Sequence, residues 1–241
     1  MGGTNVKLAY ADSSLKISRI ISFISDRIKS NPEKLYPTIC DALWRKFEMH
    51  NSWIKEFRVC MPGVIQNNRV VNSYEFASYE GIDMIRLFDG RLTKLRNDAY
   101  TAAKGVYNFY GTGIKYPAAV LTLGTGVGFA SIKDGKVKED GDLVSKWMIH
   151  PFKHESFLPV NFHSYIGSAG INQMGLSEQY RPSIRYTWRV LKALATLHNN
   201  TKHPARTYVL LGGNSKRIRI SRIPEIRNNY AELKDWFQDI I

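Results

Sequence analysis

The stretch Leu121-Thr122-Leu123-Gly124-Thr125-Gly126-Val127-Gly128 places glycines between two apolar segments. Ala118 to Leu123 has the composition of a buried strand, and Phe129 to Ile132 predicts a second strand, which Asp134-Gly135 closes as a hairpin. Because glycine has no Cβ, successive backbone N–H groups can face one concavity, and a phosphate can approach them closely. The stretch therefore predicts a strand–turn–strand unit whose turn is suited to phosphate.

The surroundings of this turn exclude two common nucleotide-binding motifs. A strand follows the turn, whereas a dinucleotide-binding fingerprint needs a third glycine one position later and a helix N-terminus for the pyrophosphate. No Gly-x-x-x-x-Gly-Lys-Ser/Thr segment occurs in the chain, so the sequence is not that of a Walker-type NTPase.

Two further glycine-rich turns occur where a strand is predicted to begin or end. Gly2-Gly3-Thr4 precedes the alternating segment Val6 to Tyr10, and Gly212-Gly213 follows the apolar segment Tyr208 to Leu211. Taken singly, a glycine pair beside a strand is most often just a tight turn, because glycine is the default residue for positive φ. The order of the turns along the chain is therefore more informative than any one of them.

Helical and strand-like segments are mixed in both halves of the chain, which predicts an α/β or closely mixed α+β protein. Helices are predicted after Asn31-Pro32, from Asp98, over Ile184 to Ala195 and over Ile226 to Ile241, because their apolar residues recur at helical spacing. Further strands are predicted over Ile17 to Ile24 and Phe57 to Met61, and Asn67-Asn68 predicts another hairpin.

Composition excludes several classes of protein. The chain has 241 residues, 44% of them hydrophobic and 23% charged, which is ordinary for a folded globular protein. No segment approaches the ~20 consecutive apolar residues of a membrane helix, and the start of the chain lacks the pattern of a secretory signal. With only Cys40 and Cys60, a disulfide framework and a Cys-rich structural zinc site are both excluded. We expect a cytoplasmic protein.

The formal net charge of +13 has two interpretations. It could attract a polyanion over about one Debye length, ~8 Å at physiological salt, or it could be a solvated basic surface. The basic residues are scattered, with one local concentration at Lys216, Arg217, Arg219 and Arg222. The solvated surface is the better explanation, and we expect no specific nucleic-acid partner.

Five segments in chain order resemble the motifs of the ROK family (repressors, open reading frames, kinases) of bacterial sugar kinases. Gly2 to Ala9 is similar to its first phosphate motif, and Met61 to Ile65 is similar to its Pro-Gly turn. Asn97-Asp98-Ala99 is similar to the entry to its catalytic helix. Leu121 to Gly128 with Lys133 to Lys136 is similar to its second phosphate motif and the following hairpin, and Val209 to Ser215 is similar to its adenosine motif. The short chain and the ending Leu-Gly-Gly-x-Ser-Lys are most similar to the polyphosphate-type glucokinases.

The resemblance implies an α/β protein with the two-domain actin-like (ribonuclease H-like) fold and an interdomain cleft. We expect a smaller N-terminal domain over 1–96 and a larger C-terminal domain over 97–241, whose final helix would pack back on the first. A homodimer is compatible with the resemblance. Some members of the family are repressors that carry an N-terminal helix-turn-helix domain, which we do not expect here because only Met1 stands before Gly2 in this sequence.

The resemblance also implies an activity: transfer of a phosphoryl group from ATP or polyphosphate, with Mg²⁺, to the hydroxyl of a hexose. Asp98 matches the general base, although Asn and Asp are also favoured helix caps. Sugar-binding positions are matched by Asn97, Glu75 and His150. Donor phosphates and nucleotide would be bound by the three glycine turns, at Gly2, Gly3, Thr4, Gly124, Thr125, Gly126, Gly212 and Gly213.

Several residues depart from the family pattern. Met1 directly precedes Gly2, so the family's first strand and its Asp are absent, which predicts either a gene that begins upstream or a relative that has lost catalysis. In Trp147-Met148-Ile149-His150 only His150 matches the sugar-contacting segment, and Gln173 falls where many members have a second Glu. Because Pro151 separates His150 from His154, these two and His163 do not form a regular metal-binding set. A non-catalytic sugar-binding relative is therefore the alternative function.

Overall fold

The computed structural model describes residues 1–2, 5–12, 14, 16–138, 152–154, 157–176, 181–199 and 205–219. The chain divides into two compact units, Met1–Asp98 and Ala99–Ile241. Gly3, Thr4, His150 and the helix predicted over Ile226 to Ile241 lie outside the described residues. Within the described ranges, no helix combines the length and the apolar character needed to cross a bilayer.

The first unit begins with a β-hairpin. Strands β1 (Asn5–Ala11) and β2 (Ile17–Ile24) pair antiparallel, with Val6 opposite Phe23. Asp12 Oδ1 accepts the backbone N–H of Ser14 at 2.8 Å, the local hydrogen bond that makes Asp a turn former. Both predicted strands are therefore confirmed.

Helix α1 (Asp26–Lys29) and helix α2 (Leu35–Phe47) follow, and the second carries the predicted apolar stripe. Its residues Leu35, Ile39 and Leu43 recur every fourth position and are all buried in the core of the first unit. The helix ends at Glu48, which adopts the left-handed conformation with φ 54°. The helix predicted after Asn31-Pro32 is confirmed, although a short 3-10 turn over Pro32–Lys34 precedes it.

A parallel strand pair and a small hairpin complete the first unit. Strand β3 (Phe57–Met61) pairs with β6 (Leu92–Asn97), and β4 (Val64–Gln66) pairs antiparallel with β5 (Arg69–Asn72). Asn67 and Asn68 both have positive φ, 49° and 58°, which is the two-residue turn that Asn favours. Between β5 and β6 lies the short helix α3 (Met84–Leu87), capped by the side chain of Asp83.

The second unit contains a four-stranded mixed sheet. Helix α4 (Asp98–Tyr110) starts at the boundary of the units and leads to β7 (Ala118–Leu123), β8 (Val127–Lys133) and β9 (Lys136–Lys138). These three strands are antiparallel neighbours, and β12 (Thr207–Leu211) lies parallel to β7 on its other side. Strand β8 begins at Val127, two residues before the predicted start at Phe129, because Leu123 and Val127 already pair across the turn.

Two further strands and three α-helices follow in the described part of the second unit. They are β10 (Phe152–His154), β11 (Phe157–Val160), α5 (Phe162–Ile166), α6 (Ser168–Gln173) and α7 (Ile184–Asn199). Helix α7 buries Tyr186, Val190 and Leu194 against Leu121 and Leu123 of β7 in one core cluster. The predicted amphipathic helix is thus confirmed, and it extends beyond the predicted end at Ala195 to Asn199.

Candidate functional site

The glycine turn over 124–126 is a tight connection between β7 and β8. Gly124 N–H donates to the carbonyl of Gly126 at 2.9 Å, so the turn is closed by its own backbone. The sheet pairing of Leu123 with Val127 holds the two ends of the turn together. Its position is therefore fixed by the two central strands of the sheet.

Side-chain and backbone groups from distant segments donate hydrogen bonds to the carbonyl groups of this turn. The Gly124 carbonyl accepts from Asn214 Nδ2 at 2.7 Å and from Ser168 Oγ at 3.3 Å. The Thr125 carbonyl accepts from Ser168 N–H at 3.0 Å. These donors fix the orientation of the two peptide units that follow Gly124 and Thr125.

His163 of α5 closes the other side of the turn. Its Nδ1 accepts the backbone N–H of Val127 at 2.7 Å, which requires the neutral ring with its proton on Nε2. The ring also occupies the space beside Gly126, where a Cβ would lie 2.9 Å from His163 Cε1. Close approach of this ring explains why residue 126 is glycine.

The turn over 212–213 packs against the same end of β7. Gly212 has φ 93°, and a Cβ on it would overlap the carbonyl group of Leu123. Only glycine meets both demands, since a side chain rarely adopts this φ and would also strike backbone. The structure thus brings two of the predicted nucleotide-binding turns together. Gly2, from the third predicted turn, lies in the first unit, where its N–H donates to the backbone carbonyl of Asn5 at 2.9 Å.

Asn97 and Asp98 stand where β6 ends and α4 begins. Asn97 Nδ2 donates to the carbonyl of Gly63 at 2.8 Å, which ties it to the Pro62-Gly63 turn of the first unit. Ser73 Oγ donates to the carbonyl of Pro62 at 2.9 Å and holds the same turn. The predicted sugar-binding amide is therefore attached to the predicted Pro-Gly turn.

The first turn of α4 is held beside the glycine turn by a second close approach. A Cβ on Gly128 would lie 2.9 Å from the Cβ of Ala99 and would overlap Thr122 Oγ1. Gly128 is thus the residue that lets α4 approach β8, one residue past Val127. The helix that begins at Asp98 therefore packs on the strand that leaves the Gly124–Gly126 turn.

The structure places Glu75 in an ion pair. Its Oε2 lies 3.3 Å from Lys29 Nζ, and both side chains are largely withdrawn from solvent, 16% and 25% exposed. A carboxylate that neutralises a neighbouring ammonium is less available to a sugar hydroxyl. The predicted role of Glu75 in sugar binding remains a prediction, and the ion pair argues for a structural contribution.

Two further titratable side chains of the second unit, His198 and Tyr186, have pKa values that are shifted by burial. His198 lies against β12 with Nδ1 3.1 Å from the hydroxyl of Tyr208, and burial lowers the pKa of its imidazole. Burial raises the pKa of the Tyr186 hydroxyl, which donates to the Ile166 carbonyl at 2.8 Å. Among the described residues, no group of three or more His, Cys, Asp or Glu side chains could hold a metal ion.

Sequence reasoning missed the residues that hold the turn. His163 was considered only as a metal ligand, and no local pattern marks it as an acceptor for Val127. Ser168 follows Gly167, and Asn214 follows Gly212-Gly213, so polar residues directly after glycines were the available signal. That signal is weak because such residues are common in ordinary turns.

No protein-family model and no curated protein sequence matches the chain. Solved structures do. The inorganic polyphosphate/ATP-glucomannokinase from Arthrobacter sp. strain KM has a TM-score of 0.72 at 20% identity, covering 100% of this chain and 88% of that one. A ROK family glucokinase from Streptomyces griseus, in complex with glucose and AMPPNP, has a TM-score of 0.63 at 16% identity, covering 98% and 86%.

A ROK family transcriptional regulator, described as a homologue of the E. coli MLC protein, is also similar, with a TM-score of 0.64 at 10% identity. The match covers 100% of this chain and 71% of the regulator. At these identities the likeness concerns the fold, and kinases and a regulator share it. The chain therefore has the α/β fold of the actin-like ROK sugar kinases.

Proposed function

We propose that the chain is a sugar kinase that transfers a phosphoryl group from ATP or polyphosphate to a hydroxyl of a hexose. The observation that carries this proposal is the convergence of the two glycine turns, over 124–126 and 212–213, at one end of β7, beside the strand on which α4 packs. The fold shared with a glucomannokinase and a glucokinase supports it.

Asp98 is the general base of this proposal. Transfer to a hydroxyl needs a carboxylate that accepts the hydroxyl proton as the new phosphorus–oxygen bond forms. Asp98 is the first residue of α4, and the close packing of Ala99 on Gly128 keeps that helix end in a defined place. Asn97, fixed on Gly63, would orient the same hydroxyl by hydrogen bonding.

The donor's phosphates would lie on the Gly124–Gly126 turn, with the adenosine of ATP beside Gly212-Gly213. Backbone N–H groups recognise phosphate oxygens without a charged side chain, and Thr125 adds a hydroxyl to this donor set. Polyphosphate has the same repeating phosphate chemistry, so the turn suits either donor. His150, Gly2, Gly3 and Thr4 keep the roles predicted for them from the sequence.

Mg²⁺ would enter with the donor. Its sites in phosphotransfer enzymes commonly combine one or two protein carboxylates, several waters and the substrate's own phosphates. When bound, the ion would neutralise charge on the transferred phosphate.

The activity is tested by incubating the protein with Mg-ATP, and separately with Mg-polyphosphate, against a panel of hexoses. We expect sugar-dependent formation of ADP, or of sugar phosphate in the polyphosphate reaction. Phosphatase contamination is excluded by omitting the sugar. If neither donor phosphorylates any hexose, the kinase proposal is wrong.

The second candidate is a non-catalytic sugar-binding protein, and two departures from the family pattern favour it. Trp147 and Gln173 stand where the family has Glu residues. Hexose binding measured by calorimetry, with no turnover of either donor, would support this candidate over the kinase.

The net charge of +13 leads to a prediction about the phosphate donor. Binding of polyphosphate should weaken steeply as salt rises, because binding releases condensed counterions. We expect the affinity to fall by at least ~10-fold between 50 and 200 mM salt, by analogy with multivalent phosphate contacts. A random DNA duplex is the control, and equal binding of both without phosphorylation would make the charge merely non-specific.

A further inference from the structure

We propose that Asn214 is a positioning residue that couples the adenosine-side turn, Gly212-Gly213, to the phosphate-side turn, Gly124–Gly126, so that both act as one rigid site. Asn214 follows Gly213 directly and belongs to the 3-10 helix Gly213–Arg217. Its Nδ2 donates to the Gly124 carbonyl at 2.7 Å, across 90 residues of sequence. The inference rests on the proposed function and names how its donor site is held.

Because this hydrogen bond is buried, its loss should be costly. Asn214 is only 4% exposed, so water cannot readily replace either partner of the bond. A buried polar group left without a partner is strongly disfavoured, whereas an exposed one is not. The Gly124 carbonyl would lose its principal side-chain donor if residue 214 could not donate, and Ser168 Oγ at 3.3 Å is a weaker substitute.

The orientation of the amide follows from its second neighbour. Arg217 Nε lies 3.4 Å from Asn214 Oδ1, and Arg217 is itself 4% exposed. A guanidinium only donates and a carbonyl only accepts, so Oδ1 must face Arg217 and Nδ2 must face Gly124. The buried arginine thus fixes the direction in which Asn214 donates.

The bond completes a set of anchors around the phosphate-side turn. Asn214 donates to the Gly124 carbonyl and the Ser168 N–H donates to the Thr125 carbonyl. His163 accepts from the Val127 N–H. Gly212 packs on the carbonyl group of Leu123, immediately before this turn. A shift of either turn would therefore break the hydrogen bond between the Asn214 side chain and the Gly124 carbonyl, or separate Gly212 from Leu123. This is the physical basis of the coupling.

Asn214→Asp is the informative variant. Aspartate has the same shape and still accepts from Arg217, so the folded core should persist, but its carboxylate cannot donate to the Gly124 carbonyl. Thr187→Val is the matched control, because Thr187 Oγ1 makes two hydrogen bonds in the same unit, to Ser183 and from Arg219, and neither involves a turn residue.

The first measurement is calorimetric binding of ADP, tripolyphosphate and adenosine. In Asn214→Asp we expect the affinities for ADP and tripolyphosphate to fall by ~10-fold, the worth of one buried hydrogen bond, while adenosine binding changes by less than about twofold. Thr187→Val should bind all three as the wild type does. Equal weakening in both variants, or unchanged ADP affinity in Asn214→Asp, would overturn the inference.

The second measurement separates this inference from the proposed function. Amide hydrogen exchange, followed by NMR without any ligand, should be about tenfold faster at Gly124 and Val127 in Asn214→Asp than in the wild type, because both N–H groups are hydrogen-bonded in the intact turn. If the wild type binds none of the three ligands, the proposed function fails, yet the exchange rates still decide the role of Asn214. Unchanged rates would show that Asn214 does not hold the turn.

Discussion

Asp98→Asn should leave the protein folded and lower the turnover of sugar phosphorylation by ~10²–10⁴-fold, the usual worth of a positioned proton acceptor. The amide has the shape of the carboxylate but cannot accept the hydroxyl proton. Because the amide has the size and shape of the carboxylate, α4 should begin at the same residue. Steady-state kinetics with Mg-ATP, together with thermal melting, measure both parts of this expectation.

Asp83→Asn is the matched control for this variant. Asp83 also stands at the start of a helix, where its Oδ1 accepts from the N–H groups of Ile85 and Arg86 at 3.0 and 3.3 Å. Asn preserves that cap, so turnover should stay close to wild type. If Asp98→Asn retains turnover within about threefold of wild type, Asp98 is not the general base.

Gly212→Ala should destabilise the second unit by about 2–5 kcal/mol, combining backbone strain with a steric overlap. The residue has φ 93°, and its new methyl group would overlap the carbonyl group of Leu123. The overlap is not easily relieved, because the carbonyl group of Leu123 is backbone and Leu123 is fully buried in the sheet. The midpoint of urea denaturation measures the loss.

Gly175→Ala separates the two contributions. Gly175 also has positive φ, 65°, but a Cβ there meets nothing within 4 Å. It should therefore cost only the conformational strain, about 1–2 kcal/mol. Equal losses in the two variants would contradict the idea that the turn over 212–213 must approach β7 closely.

The proposed donor site depends mainly on backbone. The groups that would bind phosphate are N–H donors, and the side chains of His163, Ser168 and Asn214 act by holding that backbone in place. A site of this kind needs glycines at points of close approach and donors behind the carbonyls.

The sequence by itself determined the local elements of the fold. Asn67-Asn68 and Asp134-Gly135 are turns because these residues tolerate positive φ, and the structure gives all four of them positive φ. The apolar run Ala118 to Leu123 is a strand buried along nearly its whole length, since it lies between neighbours in the sheet. In each case the information lies within a few neighbouring residues.

Only the tertiary structure decided what surrounds the glycine turn. The partners of the turn stand 36, 44 and 90 residues away along the chain, in His163, Ser168 and Asn214. The ion pair that occupies Glu75 likewise joins residues 46 apart. Hydrogen bonds of this kind depend on where whole helices and strands pack, and neither local propensity nor periodicity specifies that packing.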